Sequence, residues 1–237
     1  MVCAPDSLTI SIAVDAIQSV SGLLLAPLSA RAGFVFAHGA GAGMNHSFMT
    51  AVALGLADRG IATLRYQFPA MDRGSRRPDT PALAHATVRA AVAQASQLLP
   101  DLPLVAGGKS FGGRMTSQAH AGAPLPGVRG LVFLGFPLHP AGKPGSERAE
   151  HLRAVRSPML FLQGTRDELA DLGLLESLTR QLGERATLRL FEDADHSFHV
   201  PARSGRKDAD VLAELLDALV HWVDTLCATG ALPAATR

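Results

Sequence analysis

A serine flanked by glycines is the feature of this 237-residue sequence with the clearest chemical potential. Gly108, Ser110 and Gly112 form the pattern G-x-S-x-G directly after an apolar run, Leu104–Gly107. In this pattern a sharp strand-to-helix turn exposes the serine hydroxyl, and the glycines remove side chains that would collide with neighbouring backbone. The helix that follows directs its positive end at the same point, where it stabilises a developing oxyanion. We therefore predict that Ser110 is a nucleophile.

A base and an acid follow further along the chain. A serine hydroxyl attacks at neutral pH only when a base removes its proton and a third group orients that base. Asp167 follows the apolar run Met159–Gln163, and His196 follows the run Thr187–Phe191. Serine, acid and histidine thus occur in the chain order expected with this turn motif. We predict that His196 is the general base and that Asp167 orients it.

Each of these three residues also has a different interpretation. A serine before a helix can serve as a helix cap, which is the competing role for Ser110. Glu168 and Asp171 compete with Asp167 as the acid, and His199 competes with His196 as the base. The H-x-x-H pair of histidines, together with Asp193 or Asp195, has the spacing of a metal site. No clear further ligand accompanies the pair, and we expect no metal.

The second half of an oxyanion hole is predicted after the run Gly33–Ala37, where small residues let the backbone approach a substrate. Such a hole needs two backbone N–H groups aimed at one point. We predict that Phe111, directly after the serine, supplies one of them. Ala40 or its neighbour Gly41 supplies the other, and Gly41 is also expected to contact the substrate.

Two phosphate-binding patterns match the glycine-rich segments only in part. The run Gly108-Lys109-Ser110 resembles the end of a P-loop, but Pro103 stands where such a loop needs its first glycine. Gly39 and Gly41 fit a dinucleotide fingerprint, but Met44 occupies the third glycine position and no ribose-binding acid follows the next strand. We therefore expect no nucleotide and no other cofactor.

Alternating strand-like and helix-like runs must position these residues. The predicted strands are Leu8–Val14, Val20–Leu28, Gly33–Ala37, Ile61–Phe68, Leu104–Gly107, Gly130–Phe136, Met159–Gln163 and Thr187–Phe191. The predicted helices are Phe48–Arg59, Pro81–Leu99, Phe111–Ala121, Leu172–Leu182 and Ala209–Leu226. After an antiparallel opening pair, this alternation predicts a doubly wound, mostly parallel sheet with helices on both faces. We predict one α/β domain over residues 1–237, with its ligand site at the carboxyl ends of the strands.

Composition excludes several classes of function. The 22 Lys and Arg residues balance 21 Asp and Glu residues to a net charge of +1, which argues against a dedicated nucleic-acid surface. Hydrophobic residues make up 47% of the chain, as in a globular protein with a large core. Cys3 and Cys227 lie at opposite ends and are predicted to be free thiols. With neither a signal-peptide pattern nor an apolar run long enough for a bilayer, we expect a cytoplasmic protein.

Four motifs give the chain a recognisable resemblance. They are HGAGAG from His38, GGKSFGGR from Gly107, GFPLHPAGKP from Gly135 and GTRD from Gly164. The chain resembles the α/β-hydrolase superfamily over nearly its full length, and more narrowly small bacterial hydrolases related to dienelactone hydrolases. The resemblance implies an eight-stranded, mostly parallel sheet with Ser110, Asp167 and His196 as a catalytic triad. Dienelactone hydrolases use a cysteine nucleophile, so their particular substrate is not carried over.

The segments around the predicted site leave it open. Many relatives insert a cap domain after the strand that corresponds to Gly130–Phe136. Here only a loop and at most one turn separate Pro137 from Pro158, too little for an independent core. The polar segment Phe68–Pro81 is long for an ordinary connection and is the remaining candidate for a lid.

This polar segment also carries a group of basic residues. Arg73, Arg76 and Arg77 lie in it, and Lys109 and Lys143 are expected near the same rim. One hypothesis is that these side chains bind an anionic ester or acyl group. The alternative is a solvated loop that does not contact the substrate.

The predicted reaction is hydrolysis of a small ester or thioester through an acyl-enzyme. Two alternatives differ in outcome rather than in fold. The first is a catalytically silent hydrolase fold that serves as a binding or scaffold module. The second is an acyltransferase or peptidase that uses the same three residues. The substrate depends on loop conformations, and the sequence leaves it and the oligomeric state open.

Overall fold

One eight-stranded sheet organises the part of the chain that the computed structural model describes, residues 7–75 and 77–228. Its strands are β1 (Leu8–Ala13), β2 (Ser19–Leu25), β3 (Ala32–Ala37), β4 (Ile61–Tyr66), β5 (Leu104–Lys109), β6 (Val128–Leu134), β7 (Met159–Gly164) and β8 (Ala186–Phe191). Their order across the sheet is β1-β2-β4-β3-β5-β6-β7-β8. The pairs β1–β2 and β2–β4 are antiparallel, and every other pair is parallel.

Helices cover both faces of this sheet. They are α1 (Ser47–Ala57), the single turn α2 (Pro69–Asp72), α3 (Pro81–Leu98), α4 (Phe111–Gly122), α5 (Leu172–Leu182) and α6 (Asp208–Ala228). Buried side chains of α1 and α6 form the core on one face, and those of α3, α4 and α5 form the core on the other. This arrangement confirms the predicted doubly wound, mostly parallel fold.

The central strands are apolar throughout because both of their faces are covered. Every residue of β3 is buried. Phe34 and Phe36 pack into the core with α1 and α6, whereas Val35 and Ala37 pack into the opposite core. Successive side chains of a strand point to opposite faces, so a strand buried on both sides requires apolar residues at every position. The continuous apolar runs in the sequence follow from this geometry.

Four strands, β2, β4, β5 and β6, end two or three residues away from the predicted positions, and β2 and β6 show a clear cause. β2 stops at Leu25 because Pro27 has no N–H to donate to a ladder, and Leu28 is fully exposed. β6 stops at Leu134 because Gly135 adopts φ +70°, a left-handed conformation that ends the strand. The N–H of Phe136 then donates to the side chain of Gln163 at 2.8 Å instead of to a strand.

The segment after β6 contains more helix than the single turn expected from the sequence. A 3-10 helix, Glu147–Ala154, packs against α4 through the buried side chains of Ala149 and Leu152. Within the described residues it adds to the main core and forms no separate cap domain.

The predicted thiols lie near the two ends of the chain. Cys227 is a free cysteine at the end of α6, whereas Cys3 lies outside the described residues. Among the helices of residues 7–75 and 77–228, none combines the length and the hydropathy needed to cross a bilayer.

Candidate active site

Ser110 lies at the turn between β5 and α4, in a strained conformation. Its backbone has φ 49° and ψ −114°, in a region that residues with a Cβ rarely occupy. Such a conformation costs on the order of 1–3 kcal/mol and persists only where the surroundings enforce it. The Ser110 side chain makes no capping hydrogen bond to α4, so the interpretation as a helix-cap serine is wrong. The hydroxyl is left to face other groups.

The glycines around Ser110 are required by the close approach of β3. A Cβ on Gly108 would lie 2.3 Å from the carbonyl oxygen of Ala37, and a Cβ on Gly112 would lie 2.6 Å from the same oxygen. β3 and β5 are neighbours in the sheet, with Ala37 paired to Gly108. The turn that presents Ser110 therefore depends on the absence of both side chains.

We expect Gly108→Ala to lower the free energy of unfolding by about 3 kcal/mol or more, because backbone must move to admit the methyl group. Gly122→Ala is the matched control, since a Cβ at the end of α4 meets nothing within 4 Å. We expect the control to be neutral or slightly stabilising. Urea unfolding measures both variants, and equal stabilities would contradict this account of the turn.

His196 reaches Ser110 from the loop after β8. Its Nε2 lies 2.9 Å from the Ser110 hydroxyl oxygen. The loop is held by Asp195, whose carboxylate accepts from the backbone N–H groups of Ser197 and His199 at 2.7 and 3.0 Å. Three-quarters of the His196 side chain is covered, and the rest faces the solvent side of the site.

Asp167 lies beside His196, in the loop after β7. Its Oδ2 is 2.7 Å from Nδ1 of His196, and its side chain is fully buried. The carboxylate also accepts from the Gln163 side-chain amide at 2.5 Å and from the N–H of Leu169 at 2.8 Å. A buried carboxylate needs such donors, since isolated burial of its charge is costly. The structure thus brings Ser110, His196 and Asp167 into one hydrogen-bonded chain.

Gln163 is a residue of this site that the sequence interpretation missed. Its amide nitrogen donates to Asp167, and its oxygen accepts from the N–H of Phe136, so it ties the ends of β6 and β7 together. The signal available in the sequence was a single amide at the end of the otherwise apolar run Met159–Gln163. Because buried polar groups almost always have partners, such a side chain points to a nearby polar group.

The competing acids and the competing histidine have different partners. Asp171 caps α5 by accepting from the N–H of Leu174 at 2.9 Å, and Glu168 is exposed. Nδ1 of His199 lies 2.8 Å from Asp208, and the hydrogen bond with this carboxylate raises the pKa of His199. None of these side chains takes part in the hydrogen-bonded chain that ends at Ser110.

The predicted oxyanion segment follows β3 and is held by His38. This buried ring accepts from the N–H of Phe68 at 3.0 Å through Nε2, so Nδ1 carries the proton and donates to the carbonyl of Gly39 at 2.7 Å. Burial lowers the pKa of His38, which keeps the ring neutral. Ala40, which follows Gly39, lies on the wall of the cleft that contains Ser110. Gly41 then turns the chain, with φ +71°.

Phe111 occupies the first position of α4, directly after Ser110. The N–H groups in the first turn of a helix have no partner within that helix. The first intrahelical bond at this end runs from the N–H of Arg114 to the carbonyl of Ser110 at 3.1 Å. The N–H of Phe111 is therefore not used by the helix itself.

The cleft around Ser110 has a volume of about 740 Å³ and a largely apolar wall. Its apolar lining residues come mainly from α1, α6 and the loops after β3 and β8: Ala42, Phe48, Met49, Ala51, Leu169, Phe198, Ala209 and Leu212. The rings of Phe48 and Phe198 stack at 5.8 Å between centroids, which stiffens this wall.

The basic residues predicted at the rim lie in different surroundings. Arg73 pairs with the buried carboxylate of Asp79 at 3.6 Å, and within the described residues neither Arg73 nor Arg77 lines the cleft. Arg76 lies outside the described residues. Lys109 does line the cleft, and Lys143 lies in an exposed turn after Pro140. A role of the three arginines in substrate binding stays a prediction.

Lys109 contacts His196 directly. Its ammonium donates to the carbonyl oxygen of His196 at 2.5 Å and lies 5.5 Å from the ring centroid of Phe198. Burial lowers the pKa of Lys109 to about 8, although the carboxylates of Asp167 and Asp195 act in the opposite direction. The side chain is therefore a charged group beneath the histidine loop at neutral pH.

Comparisons with known proteins agree with this fold. A family model for the alpha/beta hydrolase domain matches residues 30–224. A dienelactone hydrolase from Anabaena variabilis is 22% identical, with a TM-score of 0.74 over 94% of this chain and 98% of that one. An α/β serine hydrolase without a lid from Xanthomonas campestris is 20% identical, with a TM-score of 0.71 over 98% and 97%. An esterase domain from Rhodothermus marinus is 18% identical, with a TM-score of 0.69 over 92% and 97%.

Proposed function

The chain belongs to the alpha/beta hydrolase domain family, and on that premise we propose that it is a single-domain serine hydrolase that cleaves a carboxylic ester or thioester. The observation that carries the proposal is the hydrogen-bonded chain from Ser110 through His196 to Asp167, with distances of 2.9 and 2.7 Å. A hydroxyl in a strained turn, beside an imidazole that a buried carboxylate orients, is the arrangement that activates a serine.

The reaction follows from the positions of these groups. His196 takes the proton of the Ser110 hydroxyl as the oxygen attacks the carbonyl carbon, and Asp167 stabilises the resulting imidazolium. The imidazolium gives this proton to the departing alcohol or thiol, and an acyl-enzyme remains. A water molecule, deprotonated by the same histidine, then releases the acid and restores the serine.

Two backbone N–H groups are proposed to hold the oxyanion in both steps. Phe111 supplies the first, since the helix does not use this group and it follows the nucleophile directly. Ala40 supplies the second from the segment that His38 fixes on the other side of the cleft. The N-terminal end of α4 adds its favourable dipole at the same point.

The apolar wall of the cleft supports an apolar acyl group or alcohol as one half of the substrate. The stacked rings of Phe48 and Phe198 and the side chain of Leu212 offer contact to carbon chains rather than to charged groups. Among the structural relatives, the protein from Rhodothermus marinus is described as an esterase domain, which agrees with this class of substrate.

A fluorophosphonate probe tests the proposal, because it reacts with an activated serine in such a site. We expect labelling of Ser110 in the wild-type protein, found by mass spectrometry of the peptide, and turnover of 4-nitrophenyl esters. A folded protein that neither labels nor turns over any ester would instead support a silent binding module. Added alcohols or amines that trap the acyl group in place of water would identify an acyltransferase.

Lys109 provides a pH-dependent test of the same site. Its pKa of about 8 means that the ammonium is present below this pH and is lost as the pH rises through it. Losing the positive charge weakens the hydrogen bond that holds the carbonyl of His196, by roughly 1 kcal/mol, so the loop that positions the general base is held less firmly. We expect kcat/KM to fall on the alkaline side, with a midpoint near pH 8.

The variant Lys109→Met separates this effect from other causes. It should show lower activity at pH 7 and no alkaline limb near pH 8, whereas Lys109→Arg should keep its activity to higher pH because guanidinium stays charged. Profiles of kcat/KM from pH 6 to pH 10 measure both variants. An unchanged alkaline limb in Lys109→Met would assign that limb to another group.

A further inference from the structure

The segment that carries Ala40 has little of its own to fix its shape. Residues 39–44 read GAGAGM, and Gly41 and Gly43 adopt φ +71° and φ +76°. A turn bond of 3.3 Å spans the first four residues of the segment. Glycine loses more conformational freedom on ordering than any other residue, so a segment of this composition keeps one shape only at a high entropic cost. Contacts from outside the segment must therefore hold Ala40 in place.

Both backbone groups of Met44, where the segment ends, are bound by side chains at the end of β4. The guanidinium of Arg65 donates to the carbonyl oxygen of Met44 at 3.0 Å. The side-chain oxygen of Gln67 accepts from the N–H of Met44 at 2.9 Å. A Cβ on Gly43 would lie 3.2 Å from the same Gln67 oxygen, so Gln67 also packs closely against the segment. The end of the segment that lies away from His38 is thus held by two side chains.

Arg65 occupies an unusual place for a charged side chain. It lies in the buried strand β4, is 4% exposed, and pairs in register with Phe36 of β3, which faces α1 and α6. Among the described residues no carboxylate lies within ion-pair distance of it, and its Nε is buried without a hydrogen-bond partner. Burying an unpaired charge costs stability, and an apolar side chain would avoid that cost. The contribution of Arg65 therefore lies in the groups that its guanidinium holds.

The second hydrogen bond of Arg65 connects it to α1. The guanidinium donates to the Thr50 hydroxyl at 2.9 Å. The residues on either side of Thr50, Met49 and Ala51, line the cleft that contains Ser110. One buried side chain of the sheet thus ties both the segment at residues 39–44 and the apolar wall of the cleft to β4.

We propose that Arg65 and Gln67 are positioning residues for the oxyanion hole. They fix residues 39–44 so that the N–H of Ala40 faces the oxyanion that forms when Ser110 attacks. Both side chains lie outside the lining of the described cleft and act through the backbone that they hold. An oxyanion donor works because it is positioned in advance, and a misplacement of about 1 Å costs about a hundredfold in rate. This inference rests on the proposed function, since it assigns the two residues a role in the same reaction.

Two variants of Gln67 with similar volumes test the proposal in the full-length protein. Gln67→Met removes the acceptor for the N–H of Met44, and Gln67→Glu keeps it. We expect Gln67→Met to lower kcat for a neutral 4-nitrophenyl ester by about ten- to hundredfold, with KM within about threefold of the wild-type value. Gln67→Glu should recover kcat to within about threefold of wild type. Active-site titration with a fluorophosphonate corrects each kcat for unfolded protein, and equal corrected values in the two variants would overturn the proposal.

A trifluoromethyl ketone distinguishes a displaced oxyanion hole from a general loss of structure. The Ser110 oxygen adds to the carbonyl carbon of the ketone, the serine proton passes to His196, and the ketone oxygen becomes an oxyanion. Because this adduct uses the same N–H groups as the transition state, its inhibition constant should rise in Gln67→Met by about the factor by which kcat/KM falls. An inhibition constant that stays at the wild-type value while kcat/KM falls would show that the oxyanion hole is intact and overturn the proposal.

Arg65→Met should lower kcat and raise the inhibition constant in the same way. Arg89→Met is the matched control, since Arg89 also donates to a backbone carbonyl, that of Ala123 at 2.8 Å, just past the far end of α4. We expect the control to lose stability in urea and to keep kcat/KM per active site within about threefold. Equal losses per active site in the two variants would overturn the assignment of Arg65. Where Arg65→Met does not fold, Arg65→Lys replaces it, with an expected loss of about three- to tenfold because an ammonium lacks the guanidinium fork.

Failure of this inference and failure of the proposed function give different results. If the wild-type protein turns over esters and the Arg65 and Gln67 variants match it, this inference alone fails. If the wild-type protein neither labels at Ser110 nor turns over any ester, the proposed function fails, and the catalytic role of the two residues fails with it. Amide hydrogen exchange of residues 39–44 measures the hold itself without any activity. Exchange should be faster in Gln67→Met than in Gln67→Glu, and equal rates would show that Gln67 does not fix the segment.

Discussion

Ser110→Ala is expected to lower kcat for ester hydrolysis by at least about three orders of magnitude. The substitution removes the hydroxyl that forms the acyl-enzyme, and His196 and Asp167 cannot act without it. The variant should fold normally. Alanine adopts the strained turn about as well as serine, and the Ser110 side chain makes no capping bond whose loss would weaken α4. Steady-state kinetics with a 4-nitrophenyl ester measure the loss of activity. Treatment with a fluorophosphonate measures the loss of labelling at residue 110.

Ser197→Ala is the matched control for this variant. Ser197 lies next to His196 and lines the same cleft, and its backbone N–H, which the substitution retains, holds the loop through Asp195. We expect kcat within about threefold of the wild-type value, as for surface substitutions that remove no partner. If Ser110→Ala retained near-normal activity, or if Ser197→Ala lost labelling at residue 110, Ser110 would not be the nucleophile.

Asp167→Asn is expected to lower kcat by about four orders of magnitude, since the amide stabilises the wrong tautomer of His196. The Asp167 carboxylate accepts from Gln163, Leu169 and His196. An amide has one acceptor oxygen, and its NH₂ group must then face one of these donors. If it faces His196, the imidazole carries its proton on Nε2 and cannot take the proton of Ser110. Kinetics at pH 7 to 9 measure the loss.

The variant Asp171→Asn tests whether Asp167, rather than the acid four residues later, orients His196. Asp171 caps α5, and asparagine is a nearly equivalent cap, so stability should change by less than about 1 kcal/mol. We expect kcat to stay within about threefold of the wild-type value. The opposite result, with activity lost in Asp171→Asn and retained in Asp167→Asn, would exchange the roles of the two aspartates.

The Lys109 and Gln163 contacts explain how this site keeps its geometry without a cap. Gln163 ties the Asp167 loop to the segment after β6, and Lys109 ties the His196 loop to the end of β5. Together these bonds join the carboxyl ends of β5, β6 and β7 to the loop after β8. Loops are usually the mobile part of a domain, and polar ties of this kind hold their side chains in place.

Much of the fold was accessible from sequence because its signals are local. A strand buried on both faces must be apolar at nearly every position, and β3, β5 and β7 each show such a run. The glycines at 108 and 112 are likewise visible in sequence, since no other residue fits a turn pressed against the backbone of β3. The approximate strand and helix boundaries, and the serine at the turn, follow from such patterns.

Only the tertiary structure decided which side chains meet. Asp167 and Asp171 are both plausible acids in sequence, and they differ because Gln163 and His196 converge on the first while the second begins α5. Lys109 was expected at the rim with other basic residues, but its ammonium binds the carbonyl of His196, 87 positions further along the chain. Contacts between residues far apart in sequence depend on how helices and loops pack over the strands. Neither hydrophobic periodicity nor the spacing of motifs predicts that packing.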